Sequence, residues 1–227
     1  MIGAGEIAIS DERATEPGAD ELARLVSDAY VGGMLSGKAG ITHFHVGEGR
    51  RRLKVLRTLL DDYEVKPAWL YPTHVERNEA LMLEAIELTK RGVTIDVDTA
   101  AEDLPEWFKF YRDKGGEACR LTASSDASIS SPRTLYEQIR SCVVEHKLPL
   151  EQTLALVTSN TAGALKLCNK GRLQEGNDSD VLVLSRDSLE IVEVIARGRR
   201  MVKGGRLNVT EKFLEESNRR ITLSGQK

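Results

Sequence analysis

Cysteine is scarce in this 227-residue chain, and the three present (Cys119, Cys142 and Cys168) stand far apart. They form neither an even-numbered disulfide framework nor a Cys-x-x-Cys zinc site, which excludes a small disulfide-stapled fold and points to a reducing, cytoplasmic setting. Long hydrophobic runs are also missing. No stretch approaches the ~20 apolar residues of a membrane span, and "MIGAGEIAIS" lacks the basic and apolar regions of a signal peptide. An excess of positive charge is missing too: the net charge is −3, and acidic and basic residues are interspersed. No electrostatic footprint for nucleic acid or an anionic membrane follows from that. Nor does a G-x-G-x-x-G follow the first apolar run, so a dinucleotide site has no support.

Present instead is an alternation. Short β-branched or apolar runs occur at 2–10, 39–46, 68–75, 93–99 and 118–126, separated by segments of helical period. Leu22, Leu25, Val26 and Ala29 share one helical face, as do Leu53, Leu56, Leu60 and Tyr63. Asn78 is a good N-cap for a helix bearing Leu81, Ala85 and Leu88, with Gly92 as its stop. Ser131-Pro132 reads as N-cap and first position of a helix carrying Leu135, Ile139 and Val143. Strand–helix alternation at this spacing predicts an α/β fold with a parallel sheet of about five βα units, doubly wound or part of a barrel. After about residue 170 the texture changes to turn-rich, Val-rich runs with a Gly204-Gly205 hairpin signal. This predicts domains of 1–170 and 171–209, the second a small antiparallel β appendage, followed by a polar tail at 210–227 with a short helical turn around Phe213-Leu214.

Reactive groups of parallel barrels collect where strands end. The ends here offer Glu6, Asp11 and Arg13, then His43 and His45, then His74, then Asp96 and Asp98, then Asp126. Three of the four histidines fall on successive predicted strands. "AGITHFHVGEGR" (Ala39–Arg50) alone holds two of them, flanked by glycines. Either these are packed histidines satisfied by hydrogen bonds, or imidazoles and carboxylates from different strands converge on a divalent cation. His146, in "EHKLP", has no such company and is expected on the surface.

Glu6, "THFHVG", "PTHVER", "TASSDAS", "GRLQEGNDSDVLVL" and "VIARGRRMVKGGRL" together resemble the second half of an amidohydrolase-superfamily enzyme, in the isoaspartyl (β-aspartyl) dipeptidase subfamily, from about Gly3 to Phe213. The resemblance implies a (β/α)-barrel of amidohydrolase type and a cofactor of two divalent metal ions, expected to be zinc. Residue by residue it makes His45 and His74 ligands of one metal, from barrel strands five and six. It makes Asp126, ending strand eight, a ligand of the other metal and the catalytic proton shuttle. Glu6 takes the position of a bridging carbamylated lysine in many relatives. Arg13 and Arg77 match arginines that hold substrate carboxylates, a task suited to the guanidinium fork. Ser130 matches a serine that contacts substrate, and His43 has no ligand role. The implied reaction is metal-assisted hydrolysis of β-aspartyl dipeptides.

One departure matters. The family's barrel opens with a His-x-His strand that supplies two further ligands, whereas this sequence begins five residues before Glu6. The expectation is a truncated chain, weak or inactive alone, that works as a homo-oligomer or with an N-terminal half of the same enzyme. A cyclic amidohydrolase of the dihydroorotase or dihydropyrimidinase kind, and a non-catalytic half-barrel that needs a partner, are the competing readings.

Overall fold

The computed structural model describes residues 2–101, 103–127 and 129–209. The expected helical turn near Phe213-Leu214 and the polar tail lie outside the described residues. The chain divides into two units between Gly171 and Arg172. Unit one alternates β1 (Gly3–Ile9), α1 (Ala19–Ser36), β2 (Ile41–Val46), α2 (Lys54–Asp62), β3 (Leu70–Thr73), α3 (Glu79–Lys90), β4 (Ile95–Asp98), α4 (Leu104–Asp113), β5 (Leu121–Ser124) and α5 (Pro132–Val144). Two short helices, α6 (Leu150–Ala155) and α7 (Ser159–Ala164), end it. β1, β2 and β3 pair in parallel in that order, and β4 pairs in parallel with β5. This is a partial α/β barrel. Among the described residues no helix is long and apolar enough to cross a membrane.

Strand alternation sorts the side chains into two layers. Phe44 and Val46 of β2, Ile95 and Val97 of β4, and Leu121 of β5 point outward and are buried under the helices. They meet Leu22 and Val26 of α1, Leu56 and Leu59 of α2, and Leu81 and Ile86 of α3 in one continuous apolar cluster. Each such side chain contributes about 1.5–3 kcal/mol by leaving water. The opposite strand faces carry His43 and His45, Tyr71 and Thr73, Asp96 and Asp98, and Thr122 and Ser124. They form a polar inner wall. Asn78 and Ser131 cap their helices as expected, accepting from Leu81 N–H at 2.9 Å and Thr134 N–H at 3.2 Å. Gly92, with φ +99°, follows the end of α3.

The strands are shorter than the apolar runs that announce them, because two runs begin as 3-10 turns, at Pro67–Trp69 and Ala118–Arg120. α4 falls where the alternation expects a helix, but its sequence shows no clear helical face. Its Leu104, Phe108 and Tyr111 are buried at helical spacing, but Trp107 and Phe110 between them blur the period. No backbone ladder joins β3 to β4 among the described residues; side chains join them instead. Asp96, 1% exposed, accepts from Thr73 Oγ1 at 2.9 Å, Tyr71 OH at 3.2 Å, Thr122 Oγ1 at 2.5 Å and Ser124 Oγ at 2.5 Å.

Unit two is a four-stranded antiparallel sheet of β6 (Val181–Leu184), β7 (Ile191–Ala196), β8 (Arg199–Lys203) and β9 (Arg206–Leu207). Gly204 and Gly205, both at positive φ, form the turn between β8 and β9.

Candidate active site

Three side chains meet at the C-terminal mouth of the first three strands. Glu6 reaches it through a register shift: β1 spends three steps from Ala4 to Ile7 where β2 spends two from Thr42 to Phe44. Such a bulge re-aims a side chain. It needs Gly5, at φ +141°, since a Cβ there would lie 2.6 Å from the carbonyl oxygen of His43. The Glu6 carboxylate spans two imidazoles, with Oε2 3.6 Å from His45 Nδ1 and Oε1 3.5 Å from His74 Nε2. The rings of His45 and His74 lie 4.2 Å apart, centre to centre. His74 stands one residue beyond β3 in the left-handed region, φ 62°, so the ring turns back over the mouth rather than continuing along the strand.

The other nitrogen of each imidazole is also engaged. His74 Nδ1 bonds Asp98 at the end of β4, which raises its pKa against the opposing effect of burial. The same bond, with hydrogen bonds from Glu76 and the Ala100 N–H, holds Asp98 well below the ordinary carboxylate range although burial works the other way. Glu76 completes a second group with His74 and Asp98. Burial first, then the neighbouring Asp98, pushes its carboxyl up to about 10, so it stands protonated at neutral pH. His45 Nε2 faces Arg77 Nη2 at 3.2 Å, Arg13 Nη2 at 3.4 Å and Asp11 Oδ2 at 3.5 Å. Desolvation, followed by His74 and Arg77, lowers the His45 pKa.

The donor set fits a divalent cation. Glu6, His45 and His74 offer one carboxylate oxygen and two imidazole nitrogens, all within 4.8 Å of one another. A ligating histidine ordinarily gives its second nitrogen to a carboxylate or carbonyl, and His74 does so to Asp98.

Of the residues singled out in the sequence, Glu6, His45, His74, Arg13 and Arg77 come together here. Asp126 and Ser130 lie beyond β5 and belong to neither group of possible ligands among the described residues. The Asp126 carbonyl accepts from Ser130 N–H at 2.9 Å, and Ser130 Oγ is buried with no hydrogen-bond partner among the described residues. His43 stacks on Tyr71 at 5.0 Å, and His146 is exposed. Glu76 and the pairing of Asp98 with His74 were not anticipated. Asp98 was visible as a strand-end carboxylate, whereas Glu76 sits in "HVER", whose charges resemble a solvated turn.

A profile of the amidohydrolase family matches residues 12–205. The chain belongs to the amidohydrolase family. Two crystal structures of β-aspartyl dipeptidase from Fervidobacterium islandicum AW-1 are similar to this amidohydrolase chain over 93% of its length. They show 36% identity with a TM-score of 0.84, and 35% with 0.86 for the complex with a β-Asp-Leu dipeptide. The chain spans 59% and 61% of those two proteins. An atrazine chlorohydrolase from Arthrobacter aurescens TC1, complexed with zinc, shares the fold at 15% identity and TM-score 0.60 over 94% of this chain and 52% of its own.

Proposed function

We propose that this amidohydrolase chain supplies the metal-holding and carboxylate-gripping side of an enzyme that hydrolyses β-aspartyl dipeptides. The observation that carries the proposal is the convergence of Glu6, His45 and His74 within 4.8 Å, with the guanidinium groups of Arg13 and Arg77 against the outer edge of His45. Similarity to β-aspartyl dipeptidases at 35–36% identity supports it. In this reading His45 and His74 would hold one divalent ion, Asp126 would hold a second, and Glu6 would contribute its carboxylate to the pair. Zinc suits a nitrogen-and-carboxylate set, although other divalent ions compete for it. When bound, such ions supply Lewis acidity at the scissile carbonyl and acidify a water.

The protein's own groups do the remainder. Asp98 keeps the His74 ring from rotating, so Nε2 stays toward Glu6. Asp126 accepts the proton of the attacking water and returns it to the leaving amine, a general base turned general acid. Arg13 and Arg77 fix the substrate carboxylates bidentately, which places the amide against the mouth; Ser130, whose hydroxyl has no hydrogen-bond partner among the described residues, offers a further substrate contact. β1 pairs only with β2, and β5 only with β4, among the described residues. Open strand edges of this kind are templates for further strands, so full turnover is assigned to an assembly in which those edges are covered, by an N-terminal half of the enzyme or in a homo-oligomer.

The test compares hydrolysis of β-Asp-Leu with that of dihydropyrimidine and hydantoin rings, with metal content measured alongside. Turnover of the dipeptide that disappears in Asp126→Asn at unchanged metal content supports the proposal. Preferential opening of the cyclic amides, or full dipeptide activity in Asp126→Asn, overturns it.

A further inference from the structure

The Arg13 side chain is 71% exposed, yet one edge of its guanidinium is fixed. Asp11, only 5% exposed, accepts from the Arg13 backbone N–H at 2.8 Å and Nε at 3.0 Å through Oδ1, and from Nη2 at 2.7 Å through Oδ2. That grip leaves the Nη1 edge outward, with no bond at Nη1 among the described residues. The same Oδ2 lies 3.5 Å from His45 Nε2. One buried carboxylate thus touches both the arginine and a proposed metal ligand.

Asp11 in turn rests on a rigid junction. The Gly47 N–H donates to Ile9 O at 3.0 Å and the Gly49 N–H to Ser10 O at 2.7 Å, while Ser10 Oγ donates to Gly49 O at 2.8 Å. A Cβ on Gly47 would lie 2.5 Å from the Asp11 Cα, and one on Gly49 2.5 Å from Ser10 O. The glycines flanking "THFHV" on its C-terminal side are there because the loop after β2 presses on the end of β1. Asp11, Arg13, Gly47, Glu48 and Arg77 then line one polar cavity beside the mouth.

We propose that Asp11 is a positioning residue that sets carboxylate selectivity. It registers the outward edge of Arg13 against His45, so a substrate carboxylate is gripped at a fixed distance from the metal centre. This deepens the function proposed above and rests on it. A guanidinium on a long exposed stem samples many rotamers; anchored along Nε and Nη2, it presents one edge in one place. Arg77 is fixed independently, by its Nε bond to Val46 O at 2.7 Å, so the two arginines form a clamp with two separately held jaws.

The experiment uses the full chain with zinc and titrates β-Asp-Leu against its dicarboxamide by calorimetry. In Asp11→Asn the preference for the dicarboxylate falls about 10–100-fold, the scale expected of a displaced positioning group, and Arg13→Met loses a similar factor. The decisive readout is the double variant: with Arg13 already replaced, Asp11→Asn causes no further loss, because it acts through Arg13. Additive losses, or an unchanged preference in Asp11→Asn, overturn the proposal. A second measurement needs neither metal nor substrate. The Arg13 Nε–H gives a slowly exchanging nuclear magnetic resonance signal, identified by its loss in Arg13→Met, and Asp11→Asn abolishes it at unchanged thermal midpoint. Persistence of that signal in Asp11→Asn also overturns the proposal. A parent chain that binds neither compound removes the dipeptidase reading and the selectivity with it, while the resonance still decides whether Asp11 holds Arg13.

Discussion

The lower and upper parts of the inner wall use the same residue types to opposite ends. Around Asp96 every contact is a closed hydrogen bond: four hydroxyls from β3 and β5 donate at 2.5–3.2 Å to a carboxylate 1% exposed. Around Glu6 the polar atoms stand 3.5–3.6 Å apart, imidazole to carboxylate, with the acid partly open to solvent. A saturated network is structural, since it has nothing left to offer a ligand. A ring of donors spaced too widely for good hydrogen bonds to each other suits a cation placed among them. The comparison also separates stability from binding, and substitution can test that separation.

The largest effect is expected at Asp96. Asp96→Ala strips the acceptor from four hydroxyls and leaves buried donors unsatisfied, at about 1–3 kcal/mol each where no relaxation occurs. A loss of about 3 kcal/mol or more by denaturant titration is expected; a loss under about 1 kcal/mol would erase the distinction between the two parts. At the mouth the readout is zinc binding. His74→Ala and Asp98→Asn should weaken it, the second by about 10–100-fold, as expected of a carboxylate behind a ligating histidine. Competition with a chromogenic chelator measures this, and equal zinc affinity in Asp98→Asn would show that the His74–Asp98 bond is ornamental.

Smaller effects lie outside the wall. Asn78→Ala removes the cap of α3, separated from His74 by the turn Val75–Arg77, and should cost about 1 kcal/mol without altering zinc affinity. Glu84, which accepts from Arg52 at 2.8 Å and Arg57 at 2.5 Å, tests the surface. Its pKa is lowered because these two bonds outweigh a partial burial that acts in the opposite sense. A depressed carboxylate stabilises the fold above its unfolded pKa, and the contribution disappears as pH falls through the folded value. Glu84→Gln should therefore be less stable than the parent at pH 7, by under about 1 kcal/mol, and indistinguishable from it in strong acid. A difference that grows on acidification would contradict the assignment.

Much of the fold was legible because its signals are local. Ser131-Pro132 and Asn78 announce helix starts through chemistry completed within three residues, and the buried faces of α1, α2 and α3 repeat at helical spacing. His45 and His74 were legible because each falls near a strand end or follows a strand, where βα topology gathers side chains; Glu6, inside β1, was legible through the family resemblance. The remainder depends on contacts distant in sequence. Nothing near Asp96 reveals that hydroxyls from residues 71, 73, 122 and 124 will surround it. Glu76 looks like a surface charge until the packing of its turn buries it beside Asp98. The bulge at Gly5-Glu6 is likewise invisible in β1 alone, since a register exists only between two strands.

The tight junction of Ser10-Asp11 with Gly47 and Gly49 has a practical consequence for altering which compounds this protein accepts. Diversity introduced at positions 47 or 49 meets main-chain atoms 2.5 Å away, and would dislodge the clamp along with any new specificity. Glu12 and Glu48 border the same cavity, and the Glu48 side chain is 76% exposed. Glu12 can change size and charge beside an incoming compound while the machinery beneath keeps its geometry, whereas Glu48, 3.7 Å from Arg77 Nη1, cannot change without altering the charge beside one jaw of the clamp; Glu12 is the natural entry point for redesign.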